Sequence, residues 1–240
     1  MKSQVEIISQ TIVKPSSPTP IQLRHLHLSF LDQIMPTVFS PWLLTYLNSP
    51  SISNAERCER LRKSLSDTLT LFYPFAGRVR GNSHVDCNDE GVPFVEAKAK
   101  GTIQKILQNP CCNNFNHLIP LKINENSDLG AFVQITYFEC GGMVVGLGLS
   151  HKIADASSAF RFLNAWGAIA RGHSNSVIFP NFEAAKYFRP VDDLSGFDPW
   201  HDVVKNSHKI VSKRFMFDAT SIKKLRDKYV KSCCNCWILS

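Results

Sequence analysis

The sequence predicts an α/β domain, a mixed β-sheet with helices packed against it. Three observations carry that class. Met143 to Leu149 is apolar on both faces, as expected of a strand covered on each side by other elements. Directly after it, from Ala156, the apolar period becomes helical, and a second amphipathic stretch stands at 54–72. Strand-like and helix-like segments then alternate irregularly along 240 residues, which argues for a mixed rather than a strictly parallel sheet.

Taken in order, residues 4–13 alternate well enough for a strand, which the Pro15-Ser16-Ser17-Pro18-Thr19-Pro20 stretch ends. Ser53-Asn54-Ala55-Glu56 has the capping-box pattern. Behind it Cys58, Leu61, Leu65, Leu69 and Phe72 recur on one helical face, predicting a helix over about 54–72. Val133, Ile135 and Tyr137 share one face of a strand over 131–139. Cys140-Gly141-Gly142 turns it into the buried strand 143–149. Ala159, Phe160, Leu163, Trp166 and Ala170 form the stripe of the next helix, and Gly172 is placed to close it. Residues 174–207, with Pro180, Pro190 and Pro199 and no sustained period, read as a long crossover. A strand near 209–217 and a basic amphipathic helix near 219–230 follow.

Composition narrows the function. With 44% hydrophobic and 20% charged residues, disorder, collagen and coiled coil are excluded. The longest apolar run, Met143 to Leu149, falls far short of the roughly 18 residues of a spanning helix. Val5 to Val13 carries Glu6 and Gln10 and no small-residue cleavage site, so neither a signal peptide nor a membrane is expected and the address is cytoplasmic. The formal charge of +7 is local: residues 201–240 hold a net +6, interleaved with an amphipathic pattern, so a solvated helix face is expected and no nucleic-acid partner. The eight cysteines form no pair of C-x-x-C motifs and read as free thiols. No metal site is predicted.

Chemistry concentrates where the buried strand meets the helix, because α/β proteins tend to place reactive groups beyond the carboxyl ends of strands. Gly146-Leu147-Gly148 begins a G-x-G-x-x-G pattern, but His151 occupies the third glycine's place. Gly148-Leu149-Ser150-His151-Lys152 approaches a nucleophile elbow, yet Lys152 replaces the turn glycine. As strand neighbours, Ser150 and His151 would point to opposite faces. His151-Lys152-Ile153-Ala154-Asp155 leaves two readings open. His151 is either a general base or a core histidine bonded to backbone, and Asp155 either serves the site or is the N-cap of the following helix.

Five ordered segments carry a family resemblance. Leu28-Ser29-Phe30-Leu31-Asp32, Tyr73-Pro74-Phe75-Ala76-Gly77-Arg78, Asp86-Cys87-Asn88-Asp89-Glu90-Gly91-Val92, His151-Lys152-Ile153-Ala154-Asp155-Ala156 and Lys213-Arg214-Phe215-Met216-Phe217-Asp218 resemble the L-S-x-x-D, P-x-A-G-R, D-C-N-x-x-G-V, H-x-x-x-D-A and second-half strand segments of the plant BAHD acyltransferases. The similarity is greatest to the vinorine-synthase-like branch. The resemblance implies the N-terminal domain of a chloramphenicol-acetyltransferase-like two-domain fold, with residues 1–173 an acyltransferase domain, 174–207 a crossover linker and 208–240 the start of a truncated second domain. It implies acyl transfer from an acyl-CoA co-substrate to a hydroxyl or amine of a small plant metabolite. His151 would be the general base and Asp155 a support of the loop through an arginine, with no permanently bound cofactor. Full-length members would be monomers. The family's D-F-G-W-G segment is absent, and residues 231–240 are unlike the family. The alternative is therefore an inactive fragment with a binding or regulatory role or none, prone to self-association.

Overall fold

In the computed structural model the described residues are 5–48, 52–108, 117–120, 128–196, 215 and 217–230. The chain divides into two compact units, residues 1–205 and 206–240. In the first, β1 (Val5–Val13), β2 (His25–His27), α1 (Phe30–Gln33), β3 (Phe39–Tyr46), α2 (Asn54–Leu71), β4 (Arg78–Arg80), β5 (His84–Asp86), β6 (Val92–Ala99), α3 (Ile103–Gln108), β7 (Ala131–Phe138), β8 (Met143–Ser150), α4 (Ala156–Ala170) and α5 (Ala184–Tyr187) follow in order. From the second unit, α6 (Ala219–Val230) is described.

The main sheet runs β1-β6-β7-β8-β3 and a three-stranded sheet runs β2-β5-β4. Among the described residues only the β6–β7 pair is parallel; the β1–β6, β7–β8 and β3–β8 pairs are antiparallel, so the sheet is mixed. β7 and β8 are buried at every position, which explains why Met143 to Leu149 shows no alternation. β3 is an edge strand, and that is where Pro41, lacking an N–H, is tolerated.

One face of the sheet packs on α2 and α4. Val133, Ile135, Val145, Leu147 and Leu149 meet Leu65, Leu69, Phe162 and Trp166 there. Trp166 Nε1 donates to Ser64 Oγ at 3.0 Å and to the Leu61 carbonyl at 3.1 Å, so its one polar atom is satisfied inside the core. Phe138 and Val144 meet Ala99, Ile103 and Leu118 in a separate cluster.

Helix ends follow the chain chemistry. Ser53 and Glu56 form the reciprocal capping box of α2. At the other end of α4, Gly172 takes φ +78°, His173 N–H donates to the Ala168 carbonyl and Gly172 N–H to that of Ile169, the two bonds of a Schellman close. The expected stripe of α4 needs one correction. Phe160 is 56% exposed, its ring lying edge-on to Trp42 with centroids 5.0 Å apart, and Phe162 fills the core instead. The strand expected near 209–217 lies outside the described residues except for Phe215 and Phe217, which carry no regular structure.

Candidate functional site

His151 follows the last residue of β8, an interior strand flanked by β7 and β3, and the backbone holds it from both sides. Ser150 N–H donates to the Gly130 carbonyl at 2.9 Å and His151 N–H to the Val38 carbonyl at 2.8 Å. The chain then turns over the Ser150 carbonyl, which accepts from Ile153 and Ala154, each at 3.1 Å. The imidazole is partly exposed, with Nδ1 buried and without a hydrogen-bond partner. Nε2 is therefore the nitrogen able to meet a ligand.

Asp155 lies at the N-cap of α4. Its Oδ1 accepts from Ser158 N–H at 2.7 Å, and that bond, with a smaller contribution from His151, lowers its carboxyl below the usual aspartate value. No arginine pairs with Asp155 among the described residues. Ser150 is buried within β8 rather than raised on a strained elbow. The Gly146-Leu147-Gly148 triplet has a packing reason. A Cβ at Gly146 would lie 2.1 Å from the Leu118 carbonyl oxygen, and one at Gly148 would lie 2.1 Å from the Phe132 ring.

Lys152, which in the sequence stands only where a nucleophile elbow would have its turn glycine, anchors the loop. It is 3% exposed, and its Nζ donates to the Gln33 carbonyl at 2.9 Å and to Asn82 Oδ1. Gln33 in turn donates from Nε2 to the carbonyls of Asn82 (2.9 Å) and Val191 (3.1 Å), and its Oε1 accepts from Val191 N–H at 2.9 Å. Four separate chain segments thus meet beneath His151. Burial lowers the Lys152 ammonium from its ordinary value, offset in part by Asp32. The only sequence signal was a lysine set between a strand apolar on both faces and the apolar pair Ile153-Ala154.

The other recurrent segments build structure. Ser29 and Asp32 are the capping box of α1. Arg78, 9% exposed, donates from Nη1 to the carbonyls of Gly77 and Gly91 and pairs with Glu90. Asp89, at φ +58°, accepts from Thr19 N–H at 2.8 Å and Thr19 Oγ1 at 2.6 Å. Burial pushes the Cys58 thiol up to about 11 and that of Cys87 up to about 12, so both are weak nucleophiles at neutral pH. Cys140 is also free, while Cys233 and Cys236, which do stand in C-x-x-C spacing, lie outside the described residues.

A groove of about 400 Å³ beside the loop is lined by Asp32, Phe75, Ile153, Ser158 and Arg161 among others, but not by His151. Another, of about 660 Å³ around Tyr137, Glu139 and Gly141, lies at the opposite end of the β7–β8 pair and is remote from His151. Among the described residues, no helix is long and apolar enough to cross a membrane.

Comparison with known proteins gives the lineage. A model of the Transferase family matches residues 3–233. Vinorine synthase of Rauvolfia serpentina is 42% identical over 236 residues, covering 94% of this chain and 55% of that protein. Stemmadenine O-acetyltransferase of Catharanthus roseus is 38% identical over 97% of this chain and 56% of its own length. The crystal structure of vinorine synthase superposes with a TM-score of 0.80 at 39% identity, over 94% of this chain and 56% of that one. Fusarium TRI101 complexed with coenzyme A and T-2 mycotoxin shares the fold alone, with a TM-score of 0.52 at 14% identity over 67% of this chain and 41% of its own. The chain spans about half the length of the curated relatives it matches. With a family model covering nearly its whole length and these acetyltransferase relatives, the chain belongs to the Transferase family of BAHD acyltransferases.

Proposed function

We propose that this protein takes part in acyl transfer from an acyl-CoA thioester to a hydroxyl or amine of a small plant metabolite, with His151 as general base. The observation that carries the reading is the placement of His151: backbone pinned at the end of an interior strand, Nδ1 buried, ring partly open. Coenzyme A in the complex of a relative with the same fold, and the acetyltransferase relatives, support the donor class.

The chemistry suits a single base. A thioester carbonyl is already activated, because a thiol with a pKa near about 8.5 leaves far more readily than an alkoxide. What is missing at neutral pH is a deprotonated acceptor. His151 Nε2 takes the acceptor proton as its oxygen or nitrogen bonds to the carbonyl carbon. The C–S bond then breaks, and the proton passes to the departing thiolate. No acyl-enzyme is needed, in keeping with the buried thiols of Cys58 and Cys87.

The test joins residues 1–230 to the C-terminal half of vinorine synthase and measures thiol release from acetyl-CoA with a panel of alcohols and amines. His151→Ala is expected to lower turnover by about 10²–10⁴-fold with substrate binding much less changed. A variant keeping more than a tenth of the rate would assign the base elsewhere.

A further inference from the structure

The three-stranded sheet carries a histidine and carboxylate cluster to which the proposed acyl transfer assigns no role. On β2, His25 and His27 alternate with Leu26; on β5, His84 and Asp86 flank Val85. The antiparallel register sets His25 opposite Asp86 and His27 opposite His84. Val85 and Leu26 turn inward to pack with Leu28, Val79 and Cys87, so all four polar side chains share the outer face. The His25 ring centroid lies 4.0 Å from that of His84 and 4.5 Å from that of His27. One ligand atom from each of His25, His84 and Asp86 falls within 4.8 Å of the others.

Two of these side chains are held from behind. His84 Nδ1 bonds Ser83 Oγ at 3.0 Å, and Asp86 Oδ2 accepts from Arg80 Nε at 2.7 Å. Each residue's second atom then points at the other, His84 Nε2 and Asp86 Oδ1 being 3.2 Å apart. Outer partners that fix a histidine tautomer and orient a carboxylate are the usual second layer of a metal site.

We propose that His25, His84 and Asp86, with His27 as a fourth ligand, bind a divalent transition-metal ion of the zinc class. Imidazole nitrogens with one carboxylate suit zinc, cobalt or nickel, whereas calcium and magnesium prefer oxygen sets. His25, His84 and Asp86 already offer ligand atoms within 4.8 Å of one another, and His25 and His27, both exposed, are the two side chains whose rotation would tighten the set around an ion. The ion would cross-link β2 to β5, next to the turn whose Asn82 receives Lys152.

The test uses the full chain without a histidine tag, with Cys233→Ser, Cys234→Ser and Cys236→Ser to remove competing thiolates. Zn²⁺ alone is titrated by calorimetry and Co²⁺ by its visible spectrum. A single equivalent is expected, with the intense absorption of tetrahedral cobalt. His25→Gln and His84→Gln should each weaken binding more than tenfold, and Ser83→Ala by about tenfold, with far-ultraviolet circular dichroism unchanged. His173→Gln should leave affinity as it was. Absence of saturable binding, or binding equally tight in His25→Gln and His84→Gln, overturns the proposal.

Discussion

Lys152 Nζ donates to the main-chain carbonyl of Gln33, 119 positions earlier, so the residue beside His151 is fastened to the short helix α1. Lys152→Ala leaves that buried carbonyl unpaired, at a cost of about 1–3 kcal/mol. The melting temperature should fall by about 2–4 °C for each kcal/mol. A pH test is independent of that loss. Burial lowers the folded-state pKa of Lys152. Between that lowered value and the unfolded value near about 10.4, the unfolded chain binds more protons, so wild-type stability gains from this group as pH rises. Lys152→Ala should lack that gain. Identical stability profiles for the two proteins across this range would show that the folded protein does not hold the Lys152 ammonium desolvated, and an unchanged melting temperature in Lys152→Ala would refute the anchoring role.

Asp155 acts on α4 through its acceptor oxygen. Asp155→Asn keeps an effective cap, whereas Asp155→Ala should cost about 1 kcal/mol. The folded-state carboxyl is lowered, so its contribution is complete above the unfolded value near about 3.9 and is lost as pH falls through the lowered one. Thermal melts at neutral pH should order wild type, then Asn, then Ala. Equal melting temperatures in all three would remove the capping role.

Gly146 and Gly148 should respond differently to alanine. At Gly146 the obstructing atom is the Leu118 main-chain oxygen, which cannot move without the chain around it. At Gly148 it is the Phe132 ring. Gly146→Ala is expected to give little soluble protein, whereas Gly148→Ala should be rescued in part by Phe132→Leu. A failure of Phe132→Leu to raise the Gly148→Ala melting temperature would break the link between the two positions.

The 240-residue polypeptide alone should turn over acyl-CoA poorly. Holding acceptor and thioester together in one geometry can be worth about 7–11 kcal/mol, and this chain spans about half the length of the curated relatives it matches. Ile178, Phe179 and Tyr187 are each more than two-thirds exposed on the first unit. Self-association on size-exclusion chromatography is expected. Acceptor-dependent turnover above about 0.1 per second, lost in His151→Ala, would show that this chain suffices.

What could be read from sequence depended on how local the signal was. The α2 capping box, the β7–β8 hairpin and the glycine closing α4 are each written within a few neighbouring residues, and the structure matches them. The phase of α4 was less legible, because phenylalanines stand on both sides of the stripe and only packing against α2 selects Phe162 over Phe160. Strands of three residues, such as β2, β4 and β5, are too short to show a period. The roles of Gln33 and Asn82, and the meeting of His25 with His84, arise from pairings roughly 50–120 residues apart, which spacing along the chain does not record.

The sheet order also sets a timetable. Among the described residues β3 pairs with β8 alone, whose residues emerge roughly 100 positions later, about 5–20 s at the usual rate of 5–20 residues per second on the ribosome. During that interval Phe39–Tyr46 has no strand to join, and Val38 has no His151 to receive. The nascent chain therefore carries an unpaired segment through roughly two-fifths of its synthesis. The histidine loop is complete only once β8 lies between β7 and β3, because His151 N–H is received by the Val38 carbonyl just ahead of β3.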